Sequence, residues 1–339
     1  MANVISALTG AKSSTVLLGP IPGVDVSVLK VDRSRVMIVS CDPVSLIPSI
    51  GAEASARMSV YEVASDIATS GNAPKYAVVD LNLPPQISDQ ILSRYWRSFS
   101  DTCGSLGLTI VGGHTGRFEG CDYSVIGGAT LWTICGKSEY VTSQMAQDGD
   151  DIILTKSAAY GATAVLTTAF PRTVRKAIGS KLFEKARKYF SQSNTLRDST
   201  IAANAGIHSH GVTAMHDATE GGVVAALSEL ASASNLGGKV FLDDIPLSEE
   251  TRQLCKFFRI DPLTSLGEGS LAIACRPDQT KRVMAKLRSE GIPSTIVGKL
   301  SSRHRGLMGI TVKGKFPIKP PASDPYWRAY WRAVRKRWS

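Results

Sequence analysis

Apolar positions along this chain follow two spacings in turn, one that suits strands and one that suits helices. Val36–Cys41 is a near-continuous apolar run that predicts a buried strand, stopped at Asp42-Pro43 because proline lacks the ladder N–H. From about Ala52 to Ser70 the chain is rich in Ala, Glu, Met and Val, which predicts a helix closed by Gly71-Asn72-Ala73-Pro74. Tyr76–Leu83 alternates like a half-buried strand as far as Pro84-Pro85, and Ile91, Leu92, Tyr95 and Phe99 then keep helical spacing over Ser88–Ser105. Leu108, Ile110 and Val111 predict a further strand that runs into Gly112-Gly113-His114-Thr115-Gly116, where paired glycines read as a strand exit. Cys121–Ile134 predicts one or two more strands.

The acidic, glycine-bearing stretch Gln147-Asp148-Gly149-Asp150-Asp151 reads as a domain junction. Beyond it come a buried strand, Ile152–Thr155, a helix from about Ala162, and two basic helical stretches up to Ala205. Strand Val212–Met215 leads to a helix over Gly221–Ala233. Lys239–Leu242, Ser270–Cys275 and Thr295–Val297 read as strands, with a helix over Gln279–Glu290. Strands and helices alternate in both halves, so the fold class is α/β (α+β), without a simple Rossmann order because some strands follow each other directly. The divisions are residues 1–147, 148–320 and a basic aromatic terminal helix at 321–339; no internal repeat is evident.

A chain of 339 residues is too long for one core and predicts two domains. It is 43% hydrophobic and 20% charged, values of a soluble globular protein, and no apolar run approaches the roughly 20 residues of a membrane span. Met1–Ile5 has neither a basic leader nor a long apolar segment, and the six cysteines are scattered without C-x-x-C. Both features predict a cytoplasmic protein with reduced thiols. The net charge of +10 sits in two places. Residues 171–190 carry seven Lys/Arg against one acid, residues 321–339 carry five against one, and the rest of the chain is neutral.

Candidate chemistry gathers where strands or helices end near glycine or hydroxyl residues: Asp25, Asp42, His114 and Asp217. Asp66 lies inside an apolar helical run, where a carboxylate is costly to bury unless paired or metal-bound. Each aspartate alone reads equally as a helix or turn cap; together they are hard oxygen ligands that suit Mg²⁺ on a nucleotide phosphate. His208-Ser209-His210 with His216 has the residue types of a zinc site but no nearby cysteine, and reads as surface or capping histidines.

Several motifs together are similar to the superfamily of aminoimidazole ribonucleotide synthetase, selenophosphate synthetase, thiamine-monophosphate kinase and the hydrogenase-maturation carbamoyl dehydratase. Gly23-Val24-Asp25-Val26-Ser27-Val28 resembles its N-terminal Gly-Asp-Asp-Ala-Ala-Val element with Val24 in place of the first aspartate, and Val39-Ser40-Cys41-Asp42 resembles its Thr-Thr-Asp strand end. Ser65-Asp66-Ile67-Ala68-Thr69-Ser70-Gly71-Asn72-Ala73-Pro74 is the most specific match. Gly112-Gly113-His114-Thr115 and His216-Asp217-Ala218-Thr219-Glu220-Gly221-Gly222 complete the set. The resemblance spans about residues 15–315 and implies ATP with Mg²⁺ in a cleft between two domains, in a homodimer whose N-domains pair their sheets into a barrel, with a mixed sheet and helices in the C-domain. Carried over, Asp42, Asp66 and Asp217 hold metal and phosphates, with Asp66, His114 and Asp217 as the catalytic set. Asp25, Gly112, Gly113, Thr115, Lys156 and Thr219 join Asp42 around the cofactor. Lys156 precedes a helix start, able to hold an anion, where two family glycines are Ala159 and Ala162.

Departures narrow the reading. The terminal cysteine of the hydrogenase-maturation enzyme has no counterpart in Lys336-Arg337-Trp338-Ser339, and no cysteine precedes Cys41 as in selenophosphate synthetase. The Gly-Val-Gly-Thr-Lys strand of aminoimidazole ribonucleotide synthetase and the Asp-Met-Leu-x-x-x-His-Phe segment of thiamine-monophosphate kinase are missing too. The expectation is an ATP-dependent phosphotransferase or synthetase acting on an oxygen of an unassigned small substrate; the alternative is a nucleotide-binding regulatory or partner-binding protein. In the terminal segment Trp327, Trp331, Val334 and Trp338 share one helical face. That face predicts docking on the chain's own domain, in preference to a hook for nucleic acid or a protein partner.

Overall fold

The computed structural model describes residues 8–121 and 124–339; the chain's first seven residues, and residues 122–123 within the expected strand Cys121–Ile134, lie outside it. Two sheets organise the described residues. The first holds β1 (Val16–Leu18), β2 (Ser27–Lys30), β3 (Arg35–Ser45), β4 (Tyr76–Leu83), β5 (Thr109–Arg117) and β6 (Val125–Gly136), in the order β1-β2-β3-β6-β4-β5. All neighbours are antiparallel except β4 and β5. Helices α1 (Ala52–Ala68) and α2 (Asp89–Ser105) cover one face, where Val36, Ile38, Val79, Leu81 and Leu131 meet Val60, Val63, Ile67, Tyr95 and Phe99. The alternation in β4 has its cause here, because every second side chain points to the face the helices leave open.

The second sheet holds β7 (Asp151–Thr155), β8 (Val212–Asp217), β9 (Gly237–Phe241), β10 (Leu271–Cys275), β11 (Ser294–Ser301), β12 (Leu307–Thr311) and β13 (Gly314–Pro317), in the order β13-β12-β9-β11-β7-β10-β8. Its helices are α3 (Tyr160–Ala169), α4 (Pro171–Ile178), α5 (Ser180–Ala186), α6 (Leu196–Asn204), α7 (Gly222–Ala233), α8 (Glu249–Phe258), α9 (Thr280–Ser289) and α10 (Pro325–Arg335). Helix α7 packs on one face of the sheet and α6 with α9 on the other. Edge strand β8 and its neighbour β10 are therefore buried throughout, and β10 reads as a continuous apolar run. Helices α3, α4, α5, α8 and α10 build a further layer around Phe170, Phe183, Phe258 and Tyr330.

Three local expectations need correction. Strand β3 does not stop at Pro43 but continues to Ser45. β2 ends at Ser27 opposite Val39, so β3 is an edge on that side beyond Val39, and a missing N–H breaks no ladder there. The pair Gly112-Gly113 is not a strand exit, because β5 continues to Arg117. Gly113 (φ +153°) follows a bulge at Val111 of β5 and faces Val79 of β4; a Cβ there would lie 1.9 Å from the Val79 carbonyl oxygen, so close strand approach is what demands the glycine. In α10 the buried face is Tyr326, Ala329, Tyr330 and Ala333, whereas Trp331 and Val334 stay 45% and 36% exposed. Asp324 caps the helix at Tyr326 N–H, and Tyr330 then meets Phe170 and bonds Ser49 across the domain boundary at 2.6 Å. Docking of the terminal helix is as expected; of the expected face, Trp327 and Trp338 pack against this layer and Trp331 and Val334 do not. No signal in the sequence reading marked β1, β2, β12 or β13.

Candidate functional site

The two sheets meet where α1 lies against the end of β8 and the segment leading into α6. The Thr195 N–H donates to Ser65 Oγ at 3.1 Å, and the turn after α1 gives the Ser70 carbonyl to Val141 N–H. Gly71 (φ +85°) lies so close to Ala203 that a Cβ would come within 2.8 Å. This seam collects acids from both halves. Asp25 comes from the loop before β2, Asp42 from β3, Glu62 and Asp66 from one face of α1, and Asp217 from the end of β8. Glu220 follows in the turn into α7, and Glu268 precedes β10. Gly222 (φ +62°) makes that turn possible, since a Cβ would lie 2.6 Å from the Ser265 carbonyl oxygen.

Burial and mutual repulsion make these carboxyls hold protons. Asp25 is pushed up to about 7, first by burial and then by Asp217, against the pull of His216. Asp42 rises to about 6 through burial, Asp217 and Glu220, and Glu62 to about 8 through burial, Asp42 and Glu220. Burial and the neighbouring acids lift Asp66 and Glu268 well above the carboxylate range. Ser40 Oγ donates to Asp66 Oδ2 at 2.7 Å. Asp25 Oδ2, both Asp217 carboxylate oxygens and Glu268 Oε2 are buried without a partner. A buried acceptor left unpaired costs about 1–3 kcal/mol, more when charged, so the seam carries an uncompensated excess of acceptor oxygens.

His216 is the cationic neighbour. Its Nδ1 lies 2.9 Å from the Asp217 carbonyl and 3.3 Å from Asp25 Oδ1, and its Nε2 3.2 Å from Glu229 Oε2. Burial works against charge on this imidazole, but Asp25, Asp217 and Glu229 outweigh it and raise its pKa. Among the described residues, Asp25, His216 and Asp217 form the group whose donor atoms lie within metal-ligand reach of one another, all inside 4.8 Å. His208 and His210 sit before β8, at the opposite end of the strand from His216, so the three histidines do not converge.

Of the residues singled out in the sequence, Asp25, Asp42, Asp66 and Asp217 come together here. Thr219 lies in the same turn, its carbonyl accepting from Gly222 and Gly267 N–H. Lys156 stands apart and is committed. Its Nζ donates to the Asn194 and Gly269 carbonyls at 2.8 and 2.6 Å and pairs with Asp198 at 3.2 Å, leaving no ammonium proton for an incoming anion. Gly112, Gly113, His114 and Thr115 lie on edge strand β5, with β6 and β4 between it and β3. At the usual strand spacing that puts His114 about 14 Å from the row of Asp42, outside the acidic cluster of its own chain. Sequence reasoning missed Glu62, Glu229 and Glu268. Glu62 was legible, since it stands four residues before Asp66 on the same helix face.

Beside Asp25, a cavity of about 490 Å³ runs between Pro20–Pro22 and the open sheet face at Val39 and Cys41. A second cavity, of about 650 Å³, is walled by Lys156, Tyr160, Tyr189, Asn194 and Pro293, and none of the clustered carboxylates lines it. Among the described residues no helix is long and apolar enough to cross a membrane.

Comparison with known proteins agrees with this architecture. Residues 23–133 match the AIR synthase related protein N-terminal domain, and residues 147–309 match the corresponding C-terminal domain. The chain is 26% identical over 277 residues to a putative hydrogenase expression/formation protein of Methanocaldococcus jannaschii, covering 79% of this chain and 77% of that protein. It is 24% identical over 277 residues to the carbamoyl dehydratase HypE of Escherichia coli, covering 80% and 76%. A crystal structure of the hydrogenase maturation protein HypE in complex with ATP shares the fold, with a TM-score of 0.65 at 19% identity over 95% of this chain and 91% of that one. With both domain matches in their expected order and a shared acidic seam between them, the chain belongs to the AIR synthase-related superfamily.

Proposed function

We propose that this protein is an ATP- and Mg²⁺-dependent enzyme that activates an oxygen of a small substrate by phosphoryl transfer. The observation that carries this reading is the set of buried carboxylates from both domains facing one another with orphaned oxygens and too little positive charge. Carboxylate oxygens of this kind fit Mg²⁺: Asp217 would hold it with Asp25 beside it, and Asp42 and Asp66 would close in from the first domain, with His216 next to the set. When bound, the ion supplies charge neutralisation along the phosphates, the principal need of phosphoryl transfer. The protein's own part is positioning. Ser40 orients Asp66 through one carboxylate oxygen. His216 Nδ1 stands between Asp25 and the Asp217 carbonyl, and the Glu229 carboxylate lies across from its Nε2. Trp327 Nε1–H anchors Glu220 at 2.8 Å. Lys156, with its protons spent, braces the 194–198 and 269 segments instead of touching phosphate. The cavity between Pro20–Pro22 and Val39 suits the apolar part of a nucleotide whose phosphates point to the acids. That a HypE structure of this fold holds ATP supports the choice of nucleotide.

The active form is a homodimer in this reading. Tyr76, Val78, Val111 and Ile134 are exposed apolar side chains on the first sheet, a patch that a second copy covers. Gly112, Gly113, His114 and Thr115, remote from their own chain's acids, would then serve the neighbouring copy's nucleotide. A second reading, nucleotide binding without turnover, is favoured by Val24 standing where the family pattern has a carboxylate. Phosphate release from ATP in the presence of a fractionated metabolite pool separates the two. Stimulated release that Asp66→Asn abolishes supports the enzyme; tight ATP binding with no release under any fraction supports the second reading.

A further inference from the structure

The two basic segments of the sequence are one surface in the fold. Helix α10 packs against the layer of α4 and α8, and the Thr173 N–H at the start of α4 donates to the Ser339 carbonyl at the chain's end. Within this layer Arg259, Arg328 and Arg332 line a cavity of about 260 Å³. Arg259 takes a left-handed backbone (φ +56°) just past the end of α8, a conformation uncommon for a side chain of this size. Arg328 and Arg332 are one turn apart on α10, and with Arg259 they bring three like charges to the wall of one small cavity. The acids of the layer are engaged elsewhere. Glu184 pairs with Arg175 and Arg187, and Glu249 with Arg252. Asp261 accepts from Leu263 N–H, and Asp324 from Gly221 and Tyr326 N–H. Among the described residues, the acceptor bonded by the cavity's arginines is the Phe258 carbonyl, which takes Arg332.

We infer that this cavity is a second anion site, separate from the acidic seam, for the phosphate or diphosphate end of a small ligand. Guanidinium forks bind oxyanions bidentately, and a phosphate, with more oxygens and more charge than a carboxylate, can engage more than one of them; Arg332 gives one N–H to the Phe258 carbonyl and keeps the others. The cavity, about 260 Å³, has room for a diphosphate group. The surrounding lysines and arginines of α4, α5 and α10 raise the local concentration of such anions. The inference does not depend on nucleotide binding at the acids.

Calorimetric titration of the full chain with pyrophosphate, in metal-free buffer at fixed ionic strength, tests it. One saturable site is expected. The double variant Arg259→Gln/Arg328→Gln should weaken it at least about ten-fold, and the Arg→Lys pair, which keeps charge but loses the fork, by less. Lys181→Gln/Lys185→Gln, on the same basic layer away from the cavity, and Asp66→Asn in the acidic seam should leave it intact. Absence of saturable binding overturns the inference, as does equal weakening by the lysine pair, which marks diffuse counter-ion binding. Loss through Asp66→Asn alone places the anion at the seam and overturns it too. A single-stranded oligonucleotide that binds far more tightly than pyrophosphate and is lost with the lysine pair would make this a polymer-binding face instead.

Discussion

Asp66 illustrates a residue kept at a cost to the resting protein. It is held beside Asp25, Asp42 and Asp217 with one hydroxyl donor, and repulsion plus burial keep its carboxyl protonated far above the usual range. Asp66→Asn removes a proton-dependent burden while keeping the shape. The variant should melt higher than wild type in the absence of metal, yet bind Mg²⁺–ATP at least about ten-fold more weakly, as scanning calorimetry and titration will show. The sign of the pH effect follows from the same residues. Asp25, Asp42 and Glu62 titrate near 7, 6 and 8 in the fold, above their unfolded values, so the folded state binds more protons than the unfolded across that interval. Their stabilising contribution is complete below about pH 4 and is lost as pH rises through the folded values. His216, also raised, loses its contribution in the same direction. The melting temperature of metal-free protein should therefore fall between pH 5.5 and 8, whereas Mg²⁺ affinity should climb over the same range because the ion competes with those protons. A melting temperature that rises with pH in chelator would contradict the charge balance described for the seam.

Helix α10 and strand β5 separate what periodicity can and cannot reveal at the scale of an element. In α10 the sequence offers two overlapping faces, one of tryptophans and valine, the other of Tyr326, Ala329, Tyr330 and Ala333. Only tertiary fit chooses the second, through Phe170, Ser49 and the Asp324 cap. Tyr330→Ala should accordingly cost about 3 kcal/mol in denaturant melts, and Trp331→Ala less than about 0.5 kcal/mol. The reverse order would restore the tryptophan face. In β5 the Gly112-Gly113 pair looks like a turn because nothing local records that β4 passes within touching distance just after the bulge at Val111. Helix α1, by contrast, is legible nearly to its ends, since apolar spacing, the Gly71–Pro74 stop and the odd carboxylate at Asp66 agree. Short strands such as β12 and β13 carry too few alternating positions for a pattern and form because β9 offers an edge.

At the scale of the whole molecule, four of the site's aspartates could be named from local motifs, but their convergence could not. Asp42 and Asp217 lie on different sheets and meet only because α1, Thr195 and Gly71 lock the domains along one seam. Glu268, far along the chain and without a motif of its own, joins them for the same reason. The open face of the first sheet makes a related demand on a second copy. Val78→Asp should convert the proposed dimer to monomer in light scattering while leaving the melting of the second domain unchanged, since Val78 belongs to no core cluster. The central claim is that acids from both domains hold one magnesium–nucleotide. Calorimetry with the full chain, magnesium and AMPPCP reads it most directly. Wild type should take up one nucleotide per chain only when magnesium is present, and Asp217→Asn should lose that uptake. No heat at millimolar nucleotide, or uptake indifferent to both magnesium and Asp217→Asn, would contradict it.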